Sequence, residues 1–357
     1  MSLLASATAV FAVDTPWWLE TTFKSFMVLL VVLLPAGTTV YLYLFKMVSF
    51  MQSRLGPMEA GPYGSLQLLA ELGKSLQKED IFPARADRSV FAMAPYVVLM
   101  STFLLAVIVP FGPNAVFTDL DAGIFLALAV SSISVIGILM AGWASASKYS
   151  LLGGLRAAGQ LIAYELPMVL AVVGVVIQAG TLNLQQIVYA QINGEIFGWG
   201  ALGMPFILTQ FVGFMIFMIA VQAELTQVPF DMPIAESELV SGYMTEYSGM
   251  RFLMFFIGEF ATAAIFAFLA SVLFLGGWSI PPFVTDLVGL EIDSAWFNVI
   301  GPLVMVTKML LLTFVIYWVR FTYPRFREDQ LQKFAWKVLI PISLVNIAIT
   351  GVLKVAF

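Results

Sequence analysis

The chain has 357 residues, of which 61% are hydrophobic and 11% charged, and its formal net charge is −5. Soluble domains carry roughly 25% charged residues, and single cores stop growing near ~250–300 residues, so a water-soluble globule is excluded. There is no cysteine and no histidine. Thiolate or imidazole ligation of an iron–sulfur cluster or haem is therefore excluded, as is a histidine general base, and proton transfer falls to Asp, Glu, Lys, Tyr or water.

Eight apolar runs follow one another near residues 23–48, 92–109, 124–143, 161–179, 206–223, 252–275, 299–318 and 338–355. Runs of this length cross the ~30 Å of hydrocarbon in a bilayer. Backbone groups in lipid must be satisfied within the segment, so the runs are predicted to be helices. The expected fold is an all-α integral membrane protein with a single membrane domain, since no internal repeat or linker is present. The N-terminal stretch to about Ala12 has small residues like a signal cleavage site but lacks the positive start such a peptide needs, and it reads as a tail.

Between the first two runs, YGSLQLLAELGKSLQK at 63–78 spaces Leu66, Leu69, Leu72 and Leu76 by three and four residues. This predicts an amphipathic helix lying at the interface. The connection 224–251 holds Glu224, Asp231, Glu236, Glu238 and Glu246, with Arg251 at its end. Pro229 and Pro233 interrupt any helix there, which suits irregular backbone folded into a polar cavity. A solvated loop or a docking surface fits the same composition.

Basic residues fall on alternate connections. One side holds Arg54, Lys74, Lys78, Arg85 and Arg88, with Lys46 just inside, then Lys148, Arg156, Arg251, Arg320, Arg325, Arg327, Lys333 and Lys337. The other side holds acids such as Asp119, Asp121, Glu195, Asp286, Glu291 and Asp293, while Lys24, Lys308 and Lys354 lie at helix ends or within a run. The positive-inside rule places the basic side in the cytoplasm and, with an even number of spans, both termini opposite. Glu165, Glu224, Glu259 and Lys308 fall within or at the ends of apolar runs, where ionisable groups are costly and usually functional. With the acidic loop they suggest a polar route for protons or cations entering from the basic side. Each residue taken singly fits a static hydrogen-bonded or ion-paired role equally well.

Six strings carry a resemblance: QSRLGP at Gln52–Pro57, LQLLAELGKSLQKED at Leu66–Asp80, PFGP at Pro110–Pro113, GWASASKYSLLGGLRAAGQLIAYE at Gly142–Glu165, PFDMPIAESELVSGYMTEYSGMRF at Pro229–Phe252 and RFTYPRFREDQL at Arg320–Leu331. In identity, order and spacing they resemble the quinone-site membrane subunit of respiratory complex I, the H-subunit family of bacterial NADH-quinone oxidoreductases. The resemblance implies a bacterial plasma-membrane subunit at the joint between an iron–sulfur arm and a proton-pumping membrane arm, binding quinone as substrate. FMN and iron–sulfur clusters would sit on partner subunits, and no nucleic acid is involved. It implies a quinone tunnel using Arg54, Gly56, Pro57, Gly61, Pro62, Phe230, Asp231 and Arg251. It also implies a proton-linked route through Glu71, Glu165, Glu224, Asp231, Glu236, Glu238, Glu246 and Glu259, to which Lys308 is added from its position in a span.

The chain departs from the pattern the resemblance implies at Leu44 and Phe45 (usually Glu-Arg), Met58 and Glu59 (Asn-Arg), Thr226 and Gln227 (Asn-Arg), and Ile234 (Glu). Replacing Arg by Phe, Glu or Gln is not conservative where a charged fork is used. Either the site is remodelled for a different quinone, or the chain anchors a relative, such as a hydrogenase- or ferredoxin-linked complex, whose donor or acceptor has diverged. A free-standing ion transporter explains the buried carboxylates but neither the long basic-side segments nor the lack of a repeat.

Overall fold

In a computed structural model, residues 17–194, 204–280 and 297–356 are described. The tail to Ala12 and the acids Glu195, Asp286, Glu291 and Asp293 lie outside them. The described residues are helical, without a strand, and seven helices are long and apolar enough to cross a membrane. The protein is an all-α integral membrane protein.

The first helix, α1, runs Trp17–Thr39, continues through a π-helical stretch Val40–Met47 and ends in Val48–Met51. The short helix α2 is Gln67–Gln77, with Leu69 and Leu76 exposed. Next come α3 (Arg88–Ile108), α4 (Gly123–Ala144), α5 (Lys148–Ala179), α6 (Leu184–Ile192) and α7 (Phe211–Glu224). The acidic connection contains one helical turn, Glu236–Leu239, and leads into α8 (Gly249–Phe274). The chain closes with α9 (Phe297–Thr322) and α10, which runs Glu328–Phe334, a π-helical Ala335–Leu339 and Ile340–Ala356.

Several bounds differ from the hydropathy reading because helices continue past their apolar stretch. α5 begins at Lys148 rather than near 161, so Glu165 lies in the middle of a 32-residue helix and Arg156 lies on it. α9 extends to Thr322, which puts Arg320 on a helix instead of in a loop. α7 is only 14 residues, about 21 Å at 1.5 Å per residue, because the chain before it is in turns.

α8 is apolar all round and is the central helix, as a helix without a polar face must be: nearly every residue from Phe260 to Phe274 is buried. The outer helix α10 is built the other way. Leu344, Val345, Ile349 and Val352 face outward, while Asn346 and Thr350 face inward, where both bond Gln210 of the segment leading into α7 at 2.9 and 2.7 Å. Apolar groups outside and polar groups between helices is the arrangement lipid selects.

Aromatic stacking pins the acidic connection to this bundle. Tyr247 stacks on Phe91 of α3 at 4.0 Å and meets Phe255 of α8 edge-on at 4.9 Å; such pairs contribute ~0.5–1.5 kcal/mol beyond area burial. Gly153 of α5 allows the closest approach, since a Cβ there would lie 2.7 Å from Gly242 Cα in the loop.

Candidate functional site

At the basic end of α1 the π-helical stretch carries Lys46, which is 9% exposed. Its ammonium donates to Pro57 O at 2.8 Å and Met58 Sδ at 3.4 Å, and it stands 5.9 Å from the ring centres of Tyr41 and Tyr63. Arg54, Gly56, Pro57, Gly61 and Pro62 share the loop held in this way. Arg54 is exposed and donates to Gln52 Oε1 at 2.8 Å. Gly64 closes the loop at φ +70, where a Cβ would collide with Pro57 O. Glu71 lies on α2, half-buried, accepting from Gln67 Nε2 at 3.2 Å. Arg251 is held at the far end of the α2 segment, paired with Asp80 at 2.9 Å and stacked 4.0 Å over Phe82.

Phe230 is placed differently from the other expected tunnel residues. It is buried between Tyr164 and Phe326, with ring centres 5.1 and 5.5 Å away. Gln160 donates to its carbonyl, and to that of Ala223, at 2.7 Å each. These contacts fasten the acidic connection to α5 at Phe230.

The acidic connection and the end of α9 enclose an outer cavity of about 390 Å³ whose walls include Asp231, Glu236, Glu259, Arg320 and Arg325. Thr226, Gln227 and Ile234, three of the positions that depart from the family pattern, also line it. Glu238 joins Arg156 and Arg325 at 2.7 Å each, and Arg325 also lies 3.8 Å from Asp231. The hydrogen bond from Arg156, reinforced by the charge of Arg325, holds the Glu238 carboxyl below the ordinary carboxylate range. Burial pushes Asp231 upward, against the pull of Arg325 and Arg320 and with the help of Glu236 and Glu238.

Glu259 stands at the inner wall of that cavity. It lies 3.6 Å from Arg320 Nη1 and accepts from Gln227 Nε2 at 3.3 Å, and Gln227 also reaches the Tyr317 hydroxyl at 3.4 Å. On the other side, Glu259 and Thr226 line an inner cavity of about 50 Å³ with Glu224 and hydroxyls of Ser101, Ser131 and Ser134. That is room for about three to five waters at ~10–15 Å³ each. Glu224 is also an electrostatic neighbour of Glu165, which in turn meets the Ser132 hydroxyl.

Asp231, Glu236, Glu259 and Glu224 thus line two polar spaces that share Glu259 and Thr226, with Glu238 bracing the outer rim; Glu165 lines neither and meets this group as an electrostatic neighbour of Glu224. Glu246 is half-buried just before α8 and lines neither cavity. Lys308 is set apart: its ammonium donates to Leu275, Gly277 and Ser279 carbonyls, sixteen or more residues along from Glu259. Sequence reasoning missed Arg320 and Gln227 as partners of Glu259. Arg320 read as a flanking charge two residues beyond an apolar run, and only the helix bound at Thr322 reveals it. Gln227 carried no signal beyond its departure from the family pattern.

A family model described as NADH dehydrogenase matches residues 23–351. The chain is 42% identical over 342 residues to the H subunit of NADH-quinone oxidoreductase from Brevibacillus brevis, covering 95% of each chain. It is 44% identical over 313 residues to the proteins of the same name from Bacillus thuringiensis subsp. konkukian and Bacillus thuringiensis strain Al Hakam, covering 87% of each. The chain belongs to the family of NADH-quinone oxidoreductase H subunits.

Proposed function

We propose that this chain, as a membrane subunit of an NADH-quinone oxidoreductase, forms part of the quinone tunnel and passes the effect of quinone reduction into a carboxylate route through the membrane. The observation that carries the reading is that Glu259 and Thr226 form walls of both the outer and the inner cavity. One carboxylate therefore borders the loop side and the membrane interior.

The quinone enters beside the loop 52–64 and α2, where Leu55, Tyr63 and Leu69 present apolar surface next to Arg54. Electrons arrive from clusters on the peripheral arm, with FMN farther along it, since this chain has no cysteine or histidine to ligate a cluster. Reducing quinone to quinol draws protons, and the charge left behind acts on Asp231, Arg325 and Arg320 at the rim. Glu259 responds through Arg320, and the perturbation passes by the inner cavity to Glu224 and Glu165 and on to neighbouring membrane subunits.

The basic connections face the cytoplasm of a bacterial plasma membrane and dock the peripheral arm, with both termini opposite. α7 and the turns before it make the eighth crossing. The relatives' shared name favours this quinone-linked reading over a hydrogenase- or ferredoxin-linked complex or a free-standing transporter.

The test uses membrane vesicles carrying the whole complex with Glu224→Gln or Glu259→Gln. Expected are normal assembly on native gels and normal NADH oxidation by ferricyanide, but loss of most quinone reductase activity and of proton pumping. Normal quinone turnover and pumping in both variants would overturn the reading.

A further inference from the structure

The carboxyl end of α8 is wrapped around a single cation. Gly276 and Gly277 take left-handed φ values of +72 and +53 and turn the chain back on itself. The carbonyls of Leu275, Gly277 and Ser279 converge on Lys308 Nζ at 2.7, 2.7 and 2.8 Å. An ammonium has three N–H donors, and here each has a main-chain acceptor. The positive charge sits where the α8 dipole is negative, in an interior where an unpaired charge is costly. The three carbonyls belong to the turn that follows Phe274, the last residue of α8. Among the described residues no carboxylate pairs with Lys308; its three acceptors are all main-chain carbonyls.

The same two helices meet again at their other ends. Lys308 lies on α9, twelve residues before Arg320, or about 18 Å of helix; Glu259 lies on α8, sixteen residues before Leu275, or about 24 Å. Phe260 stacks on Tyr317 there at 5.9 Å, beside the Arg320–Glu259 pair. α8 and α9 are thus fixed to one another at two places, and the sliding or turning of α9 that would part Arg320 from Glu259 is resisted by the ammonium.

We propose that Lys308 is a tethered cation in a carbonyl cage and a positioning residue: it sets the register of α9 on α8 and through it the Arg320–Glu259 pair, without itself lying on the proton route. The second half of this proposal rests on the carboxylate-route reading, whereas the cage does not.

The test uses the assembled complex with Lys308→Ala, Lys308→Met and Lys308→Arg. Lys308→Ala is expected to lower the unfolding temperature of the membrane arm and quinone reductase activity several-fold. Added methylammonium, a small cation with three N–H donors, should restore both, whereas tetramethylammonium, which has none, should not. Lys308→Met, which keeps the stem but not the charge, should shift the pH profile of quinone reduction, and that shift should vanish in a Glu259→Gln background. Lys308→Arg should fall between Met and wild type.

Absence of methylammonium rescue in assembled Lys308→Ala would overturn the cage. A Lys308→Met effect that multiplies in full with that of Glu259→Gln would overturn the link to the pair. If Lys308→Ala does not assemble, an unshifted pH profile in Lys308→Met overturns the proposal. Normal quinone turnover and pumping in both Glu259→Gln and Glu224→Gln would instead sink the carboxylate route, and rescue of the unfolding temperature would still decide the cage.

Discussion

Arg320 Nη1 lies 3.6 Å from Glu259 Oε1, joining α9 to α8 at the wall shared by the outer and inner cavities. Gln227 donates to the same carboxylate oxygen. Arg320 is therefore the cation that sets the charge balance at Glu259. Arg320→Gln should lower quinone reductase activity by roughly tenfold, the effect of ~1.4 kcal/mol in a barrier, with the complex still assembled. In a double-mutant cycle with Glu259→Gln, turnover and pumping should show a coupling of about 0.5–3 kcal/mol. Additive effects would mean that the two side chains act separately.

Glu238 ties the acidic connection to α5 and to the segment after α9 through Arg156 and Arg325. Its folded-state pKa is depressed, so its contribution is fully present above the ordinary glutamate value of ~4.3 and is lost as pH falls through the lowered folded value. Protease cleavage within 224–251 should therefore stay slow in wild type until the medium is acidic beyond the ordinary glutamate range. In Glu238→Gln it should be fast at neutral pH and nearly independent of acidification.

Gly64 is the position where the loop after α1 tolerates least change. At φ +70 an alanine pays ~1–2 kcal/mol for the left-handed backbone, and its Cβ collides with Pro57 O. Gly64→Ala should loosen the loop that Lys46 holds and raise the KM for a short-chain quinone several-fold. Ferricyanide reduction by the peripheral arm should be unaffected. A KM equal to wild type would show that this loop does not border the quinone.

Phe230 separates packing from binding. Truncating a buried phenylalanine costs ~3–5 kcal/mol, and this ring is wedged between Tyr164 and Phe326. Phe230→Ala should reduce the amount of assembled complex and its unfolding temperature, while the fraction that assembles keeps a near-normal KM for quinone. A large rise in KM with normal stability would show that Phe230 acts on the quinone and not through packing.

Much of the architecture was legible in the residues alone. Apolar runs fix an all-α membrane chain, and the absence of cysteine and histidine excludes thiolate or imidazole ligation of a cluster or haem, because bilayer thickness and ligand chemistry act on run length and composition. The strings around Gln52, Gly142, Pro229 and Arg320 carried the family. What the runs concealed were the helix ends: α5 starts at Lys148 and α9 ends at Thr322, so the depth of Glu165 and the helical setting of Arg320 were out of view.

Which charges meet was decided by tertiary structure. Glu259 and Lys308 both read as ionisable groups within spans, yet one borders two cavities and the other closes a helix end. Partners such as Arg156 and Glu238 are 82 residues apart in the chain. One residue of register turns a helical side chain by about 100°, so no local pattern says which face of α5, α8 or α9 looks at which neighbour. Phe230 shows the same limit: its string marks the family, but only the tertiary structure sets the ring between Tyr164 and Phe326.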